Sequence, residues 1–152
     1  HIDFSLQLNH HYTIINGNEN QIKQVFINLI KNAIEAIDSD GKIHLELNHH
    51  DDRLFISIKD TGIGIPPHIL EKIFEPFYTT KSKGTGLGMM ITNKIIQEHK
   101  GTINIRSEEN VGTEVLISFP TYKEASLVYV RYAYTRSRLV GRRRGPIGTL
   151  EL

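Results

Sequence analysis

The 152-residue sequence contains no cysteine, which excludes both a disulfide framework and a thiolate metal site. No apolar run approaches the roughly 20 residues needed to span a bilayer. No signal-peptide pattern opens the chain. These residues are therefore expected to be soluble, and any membrane anchor of a longer parent would lie outside them. Net charge is also scarce, at +1, but the balance conceals an asymmetry. Residues 123–152 carry seven basic side chains and two acids, which leaves eleven basic and fifteen acidic residues, net −4, on the rest. A basic tail on an acidic body fits nucleic-acid or membrane contact, and it equally fits a segment foreign to the domain. What is present, 39% hydrophobic and 23% charged residues, suits one globular domain with a real core.

The chain is organised around Asp60-Thr-Gly-Ile-Gly-Ile-Pro66. An alternating strand pattern, Leu54 to Lys59, leads into it and stops on an acid and two glycines. Such an exit presents one fixed carboxylate beside backbone without side chains. That suits a flat ligand: the acid accepts from an exocyclic amine, and glycine lets a ring approach closely. An ordinary strand-to-turn exit uses the same residue types, so this stretch alone leaves both readings open.

Gln21 to Ile37 is the strongest helix. Ile22, Val25, Phe26, Leu29, Ile30, Ala33 and Ile37 form one apolar stripe. Asn28, Asn32 and Glu35 form another. Asparagine is a poor interior helix former, so two of them one turn apart need a reason. They read either as a solvated polar face or as an amide oxygen ligand for Mg²⁺ with a neighbour contacting phosphate.

Around these elements, Ile2 to Leu8 and Tyr12 to Ile15 read as strands joined across Asn9-His10-His11. Lys42 to Asn48 and Arg53 to Lys59 read as a hairpin, as do Gly101 to Ser107 and Gly112 to Pro120. Pro66-Pro67 starts a short helix to Ile73. Tyr78 to Lys83 lacks apolar periodicity and reads as a mobile loop. Gly84-Thr-Gly-Leu-Gly88 then opens a second helix, Leu87 to His99. Glycines before a helix start free N–H groups for an anion, and the helix dipole favours it. The run lacks the preceding strand of a dinucleotide fingerprint and the Gly-Lys-Ser/Thr ending of a Walker loop. The pairs His10-His11 and His49-His50 make poor metal clamps, because neighbours in extended chain point to opposite faces.

Together, Asn28-Leu-Ile-Lys-Asn32-Ala, Asp60-Thr-Gly-Ile-Gly64, Phe74-Glu-Pro-Phe77 and Gly84-Thr-Gly-Leu-Gly88 resemble the N, G1, F and G2 boxes of sensor histidine kinases, in the family's order and spacing. The resemblance covers roughly residues 1–120. The short Phe-Tyr-Thr-Thr-Lys lid and the Asn-Ala-Ile-Glu-Ala helix look most like the nitrogen-regulation and Bacillus sporulation branch. It implies the Bergerat ATP-binding fold: an α+β two-layer sandwich, a mixed, mostly antiparallel sheet with helices packed on one face. The domain is expected to span 1–121. The extension 122–152 is expected to be appended or read-through sequence, in which residues 127–134, if ordered, would pair with a sheet edge or a neighbouring chain.

The resemblance also implies roles. Asp60 would accept from the adenine amino group of ATP, Gly62 and Gly64 would give the ring room, and Ile65 would pack near it. Asn32 would ligate Mg²⁺; Asn28 and Lys31 would sit beside the phosphates as the catalytic pair. Phe77 would stand beside the nucleotide. Thr79, Thr80, Lys81 and Lys83 would form the lid, with Gly84, Thr85, Gly86, Leu87 and Gly88 as its hinge and phosphate seat. Thr113 resembles a threonine that often supports the adenine aspartate.

Related ATPases carry a glutamate, a base for water, one turn before the magnesium asparagine. Here that position is Asn28, and an amide cannot take a proton. Phosphoryl transfer to a protein is thus expected over hydrolysis. None of the eight histidines has the setting of the family's phosphoacceptor. The acceptor is therefore expected on a dimerisation domain preceding His1, with a response regulator downstream and no contact with nucleic acid or membrane by these residues. The implied setting is the cytoplasmic part of a membrane-anchored bacterial sensor kinase in two-component signalling. An anti-sigma-factor-type serine kinase, a nucleotide-sensing module without transfer activity, and a nucleic-acid binder acting through the tail are the rivals.

Overall fold

The computed structural model describes residues 1–9, 13–78 and 86–122, and the backbone of 149–151. In chain order the elements are β1 (Ile2–Leu8), β2 (Ile14–Asn16), α1 (Glu19–Glu35), β3 (Gly41–His50), β4 (Arg53–Asp60), α2 (Pro67–Leu70), α3 (Gly88–Glu98), β5 (Thr102–Glu108), β6 (Gly112–Pro120) and β7 (Thr149–Glu151). Five strands form one sheet in the order β1-β3-β4-β6-β5. Only the β1–β3 pair is parallel; the others are antiparallel. Helices cover one face, which is the expected two-layer α+β sandwich.

Both expected hairpins form. The first two strands do not pair with each other. β1 runs parallel to β3, and β2 pairs with β7 while Ile15 bridges to Thr121. Three residues of the basic extension are thus placed against the body, whereas 127–134 lies outside the described residues.

Asn18 caps α1: its side-chain oxygen accepts from the Gln21 N–H at 3.1 Å. The helix buries Ile22, Val25, Leu29 and Ala33 on the sheet, each large side chain contributing about 1.5–3 kcal/mol. It ends at Glu35, two residues before the expected Ile37. The short helix after Pro66 also ends early, at Leu70 rather than Ile73, in a run of turns.

The core face of the sheet is built in rows across four strands. Leu47, Ile56, Ile117 and Ile103 form one row; Leu45, Ile58, Val115 and Ile105 form the next. The row after that begins with Ile43 and then turns polar: Asp60, Thr113 and Ser107. Strand alternation keeps all three on the core side. The apolar interior therefore ends at one rim in a carboxylate and two hydroxyls.

Candidate functional site

Asp60 is the last residue of β4 and is half-buried. Its Oδ1 accepts from the Gly62 N–H at 2.9 Å. Burial pushes its carboxyl above the ordinary carboxylate range, and hydrogen bonds from the backbone of Gly62 and Thr113 pull the other way without cancelling it. A carboxylate kept partly out of water is poised to accept from a ligand donor.

The loop after Asp60 is clamped on both sides. On the α1 side, the Ile63 N–H donates to Ala36 O at 2.9 Å, and a Cβ on Gly62 would lie 2.4 Å from that same oxygen. On the β5–β6 side, the Asn110 N–H donates to Ile63 O at 2.7 Å and the Ile65 N–H donates to Ser107 Oγ at 2.8 Å. Gly64 adopts φ +71°, and its Cβ would meet Glu108 O at 2.0 Å. Close approach of the loop to protein backbone is thus enough to require both glycines, and Ile65 follows, partly buried.

Thr113 stands directly opposite Asp60 and is buried. Its hydroxyl bonds Ser107 Oγ at 2.9 Å. Ser107, absent from the sequence expectations, joins three groups: Ile65 N, Gly112 O and Thr113 Oγ1. Its signal was available, since Ile103 and Ile105 alternate inward and the next inward position in β5 is a serine.

The asparagines of α1 face α3. Asn28 Nδ2 donates to Thr92 Oγ1 at 2.8 Å, and Asn32 Nδ2 donates to Met89 Sδ at 3.2 Å. A Cβ on Gly88 would sit 2.6 Å from Asn28 Oδ1, so this glycine lets the two helices close. The solvated-face reading of these asparagines is thereby excluded. Thr92 and Met89 are further residues that sequence reasoning missed. Lys31 is not gathered with them: it is exposed and lies 3.7 Å from Glu35, one turn on.

α3 opens at Gly88 after Leu87, whose own side chain makes no capping hydrogen bond; its first turn holds no acid. Gly86, at φ +69°, packs on the backbone of Phe77, itself at φ +63° and exposed. Thr79, Thr80, Lys81, Lys83, Gly84 and Thr85 lie outside the described residues. A purine fits a half-buried acceptor at the rim. A phosphate fits the N-terminus of α3, whose N-cap residue Leu87 offers its first backbone donors no side-chain acceptor. An amide oxygen suits a hard cation such as Mg²⁺, and Asn32, whose nitrogen is turned to Met89, would be the residue to hold one.

The profile of the family described as "Histidine kinase-, DNA gyrase B-, and HSP90-like ATPase" matches residues 17–123. The chain belongs to this ATPase family. It is 49% identical over 106 residues to sporulation kinase A of Bacillus subtilis (strain 168), covering 70% of this chain and 18% of that protein. It is 38% identical over 120 residues to the signal transduction histidine-protein kinase AtoS of Escherichia coli (strain K12), covering 78% and 20%. The chain thus spans about a fifth of the length of these relatives. The catalytic domain of histidine kinase ThkA aligns with TM-score 0.71 and 39% identity over 78% of each chain. A structure of ThkA in complex with the response regulator TrrA aligns with TM-score 0.68 and 36% identity over 82% of this chain and 36% of that one. The histidine-kinase resemblance and the Bergerat architecture are both established by these likenesses. Among the described residues, no helix is long and apolar enough to cross a membrane.

Proposed function

We propose that residues 1–121 are the catalytic ATP-binding domain of a sensor histidine kinase and transfer the γ-phosphoryl of ATP to a histidine on a dimerisation domain outside these residues. The observation that carries the reading is Asp60, a buried-edge carboxylate with raised proton affinity on a loop clamped from both sides. Asp60 accepts from the adenine amine and orients the base. The α3 start, where Leu87 supplies no side-chain cap, receives the phosphates through backbone N–H groups. Asn32 would hold Mg²⁺ through its amide oxygen, and the ion would supply neutralisation of phosphate charge. Asn28 orients and cannot take a proton, so water is not activated and transfer to a protein acceptor prevails. The lid residues Thr79, Thr80, Lys81 and Lys83 supply donors and positive charge at the triphosphate, and Phe77 flanks the nucleotide.

The phosphorylated partner then serves a response regulator, a reading supported by the ThkA–TrrA complex among the structural neighbours. The parent is proposed to be a membrane-anchored sensor with this domain in the cytoplasm, and the basic extension 122–152 is proposed to lie outside the functional unit. The test supplies a dimerisation domain from a sporulation-kinase relative in trans with labelled ATP. Label on its histidine is the expected result. No transfer alongside steady phosphate release by the chain alone contradicts the proposal.

A further inference from the structure

Ser107 Oγ sits at the centre of three hydrogen bonds, but a serine hydroxyl carries one proton. Gly112 O, at 2.9 Å, is a carbonyl and only accepts, so the serine proton goes there. The Ile65 N–H donates into Ser107 Oγ at 2.8 Å. The remaining contact, with Thr113 Oγ1 at 2.9 Å, is then satisfied only if Thr113 is the donor. The threonine proton points along the sheet to Ser107 and away from Asp60, its neighbour in the same cross-strand row. The Thr113 hydroxyl proton is thus committed to Ser107 and is not free for Asp60 or for a ligand at the rim.

We propose that Ser107 is a positioning residue that withholds the Thr113 hydroxyl proton from the rim of this pocket and thereby favours a 6-amino purine over a 6-oxo purine. This rests on the nucleotide site proposed above. Asp60 accepts and the Thr113 hydroxyl has no proton free to give, so a ring amine at the rim finds an acceptor without a competing side-chain donor. A ring carbonyl in the same seat meets a carboxylate and no free donor, since the Gly62 and Thr113 N–H groups are spent on Asp60 and the Thr113 hydroxyl on Ser107. Losing Ser107 removes the acceptor for the threonine proton. Thr113 then rotates to donate to Asp60, which competes with the incoming amine, or to donate to a ligand carbonyl. Either change narrows the preference. A purely structural loosening of the loop through Ile65 weakens all nucleotides alike and leaves the ratio unchanged.

The experiment is calorimetry of the whole chain with adenosine diphosphate and inosine diphosphate, each with magnesium. The wild type is expected to favour the adenine nucleotide by at least about tenfold. Ser107→Ala is expected to cut that ratio about fivefold or more. In a Thr113→Val background the same substitution is expected to leave the ratio where Thr113→Val puts it, since no proton remains to redirect. If Ser107→Ala does not fold, Ser107→Cys, near in size but a weak acceptor, is held to the same expectation. A fall in affinity with an unchanged ratio overturns the inference. So does an equal change of ratio in the Thr113→Val background. Binding abolished by Asp60→Ala but indifferent to Ser107 would sink this inference alone; no nucleotide binding by the wild type would sink the site reading and this inference with it.

Discussion

Asp60 and Thr113 face each other across the β4–β6 ladder, and together they end the apolar interior of the sheet. The rows behind them are Ile58 with Val115 and Ile56 with Ile117. A carboxylate at that place costs the empty protein something, because burial disfavours its charge.

The pH dependence follows with a definite sign. A folded-state carboxyl held above its ordinary range binds a proton more tightly than the unfolded chain does. Its favourable contribution is complete below the unfolded value and is lost as pH rises through the raised folded value. Asp60→Asn removes that loss. Without nucleotide at pH 7, the variant is expected to melt at or slightly above the wild-type temperature, with the difference vanishing in acid. Nucleotide affinity of the wild type is expected to fall as pH drops through the same raised value. Melting curves over a pH series, with and without nucleotide, check both.

Gly64→Ala is expected to cost about 3 kcal/mol, because a side chain at positive φ would also press on Glu108 O. Denaturant titration measures it. A cost within about 0.5 kcal/mol would mean the loop is not held against the β5–β6 turn as described.

Asn28→Ala leaves the buried Thr92 hydroxyl without its partner and is expected to destabilise by about 1–2 kcal/mol. Phosphotransfer in trans should fall further than that stability loss explains. Denaturation and transfer assays on the same preparation separate the two effects.

His99 is a structural histidine. Its Nδ1 lies 2.7 Å from Ile95 O, an acceptor, so that nitrogen carries the proton and donates. Nε2 accepts the Asn18 N–H at 3.0 Å, at the start of α1, and the ring meets Phe119 edge-on. His99→Ala is expected to destabilise by about 2 kcal/mol. Mass spectrometry after incubation with ATP is expected to find no phosphate on His99.

The sequence made most of this legible where one period dominates. The stripe from Ile22 to Ala33 and the alternation of Leu54, Ile56 and Ile58 each have one reading, and both elements form. Asp60, Asn28 and Asn32 were visible because their residue types are out of place in regular elements. Ser107 is legible only as a polar residue at an inward position of its strand; its role depends on register, since only beside Thr113 and Ile65 does it become a junction. The parallel pairing of β1 with β3 was hidden for the same reason, since alternation within a strand does not name its neighbour. Gly62 and Gly64 were read as room for a ring, whereas what lies under them is the backbone of Ala36 and Glu108. Lys31 falls on the outer side of α1, where a paired glutamate one turn away gives it a surface partner.

The most direct measurement is calorimetry of a non-hydrolysable magnesium–ATP analogue against wild type and Asp60→Ala, with folding of both verified by melting. Wild-type binding that weakens by about 100-fold or more in the variant is the outcome expected for a half-buried charged acceptor. A folded Asp60→Ala protein that binds as tightly as wild type contradicts the account.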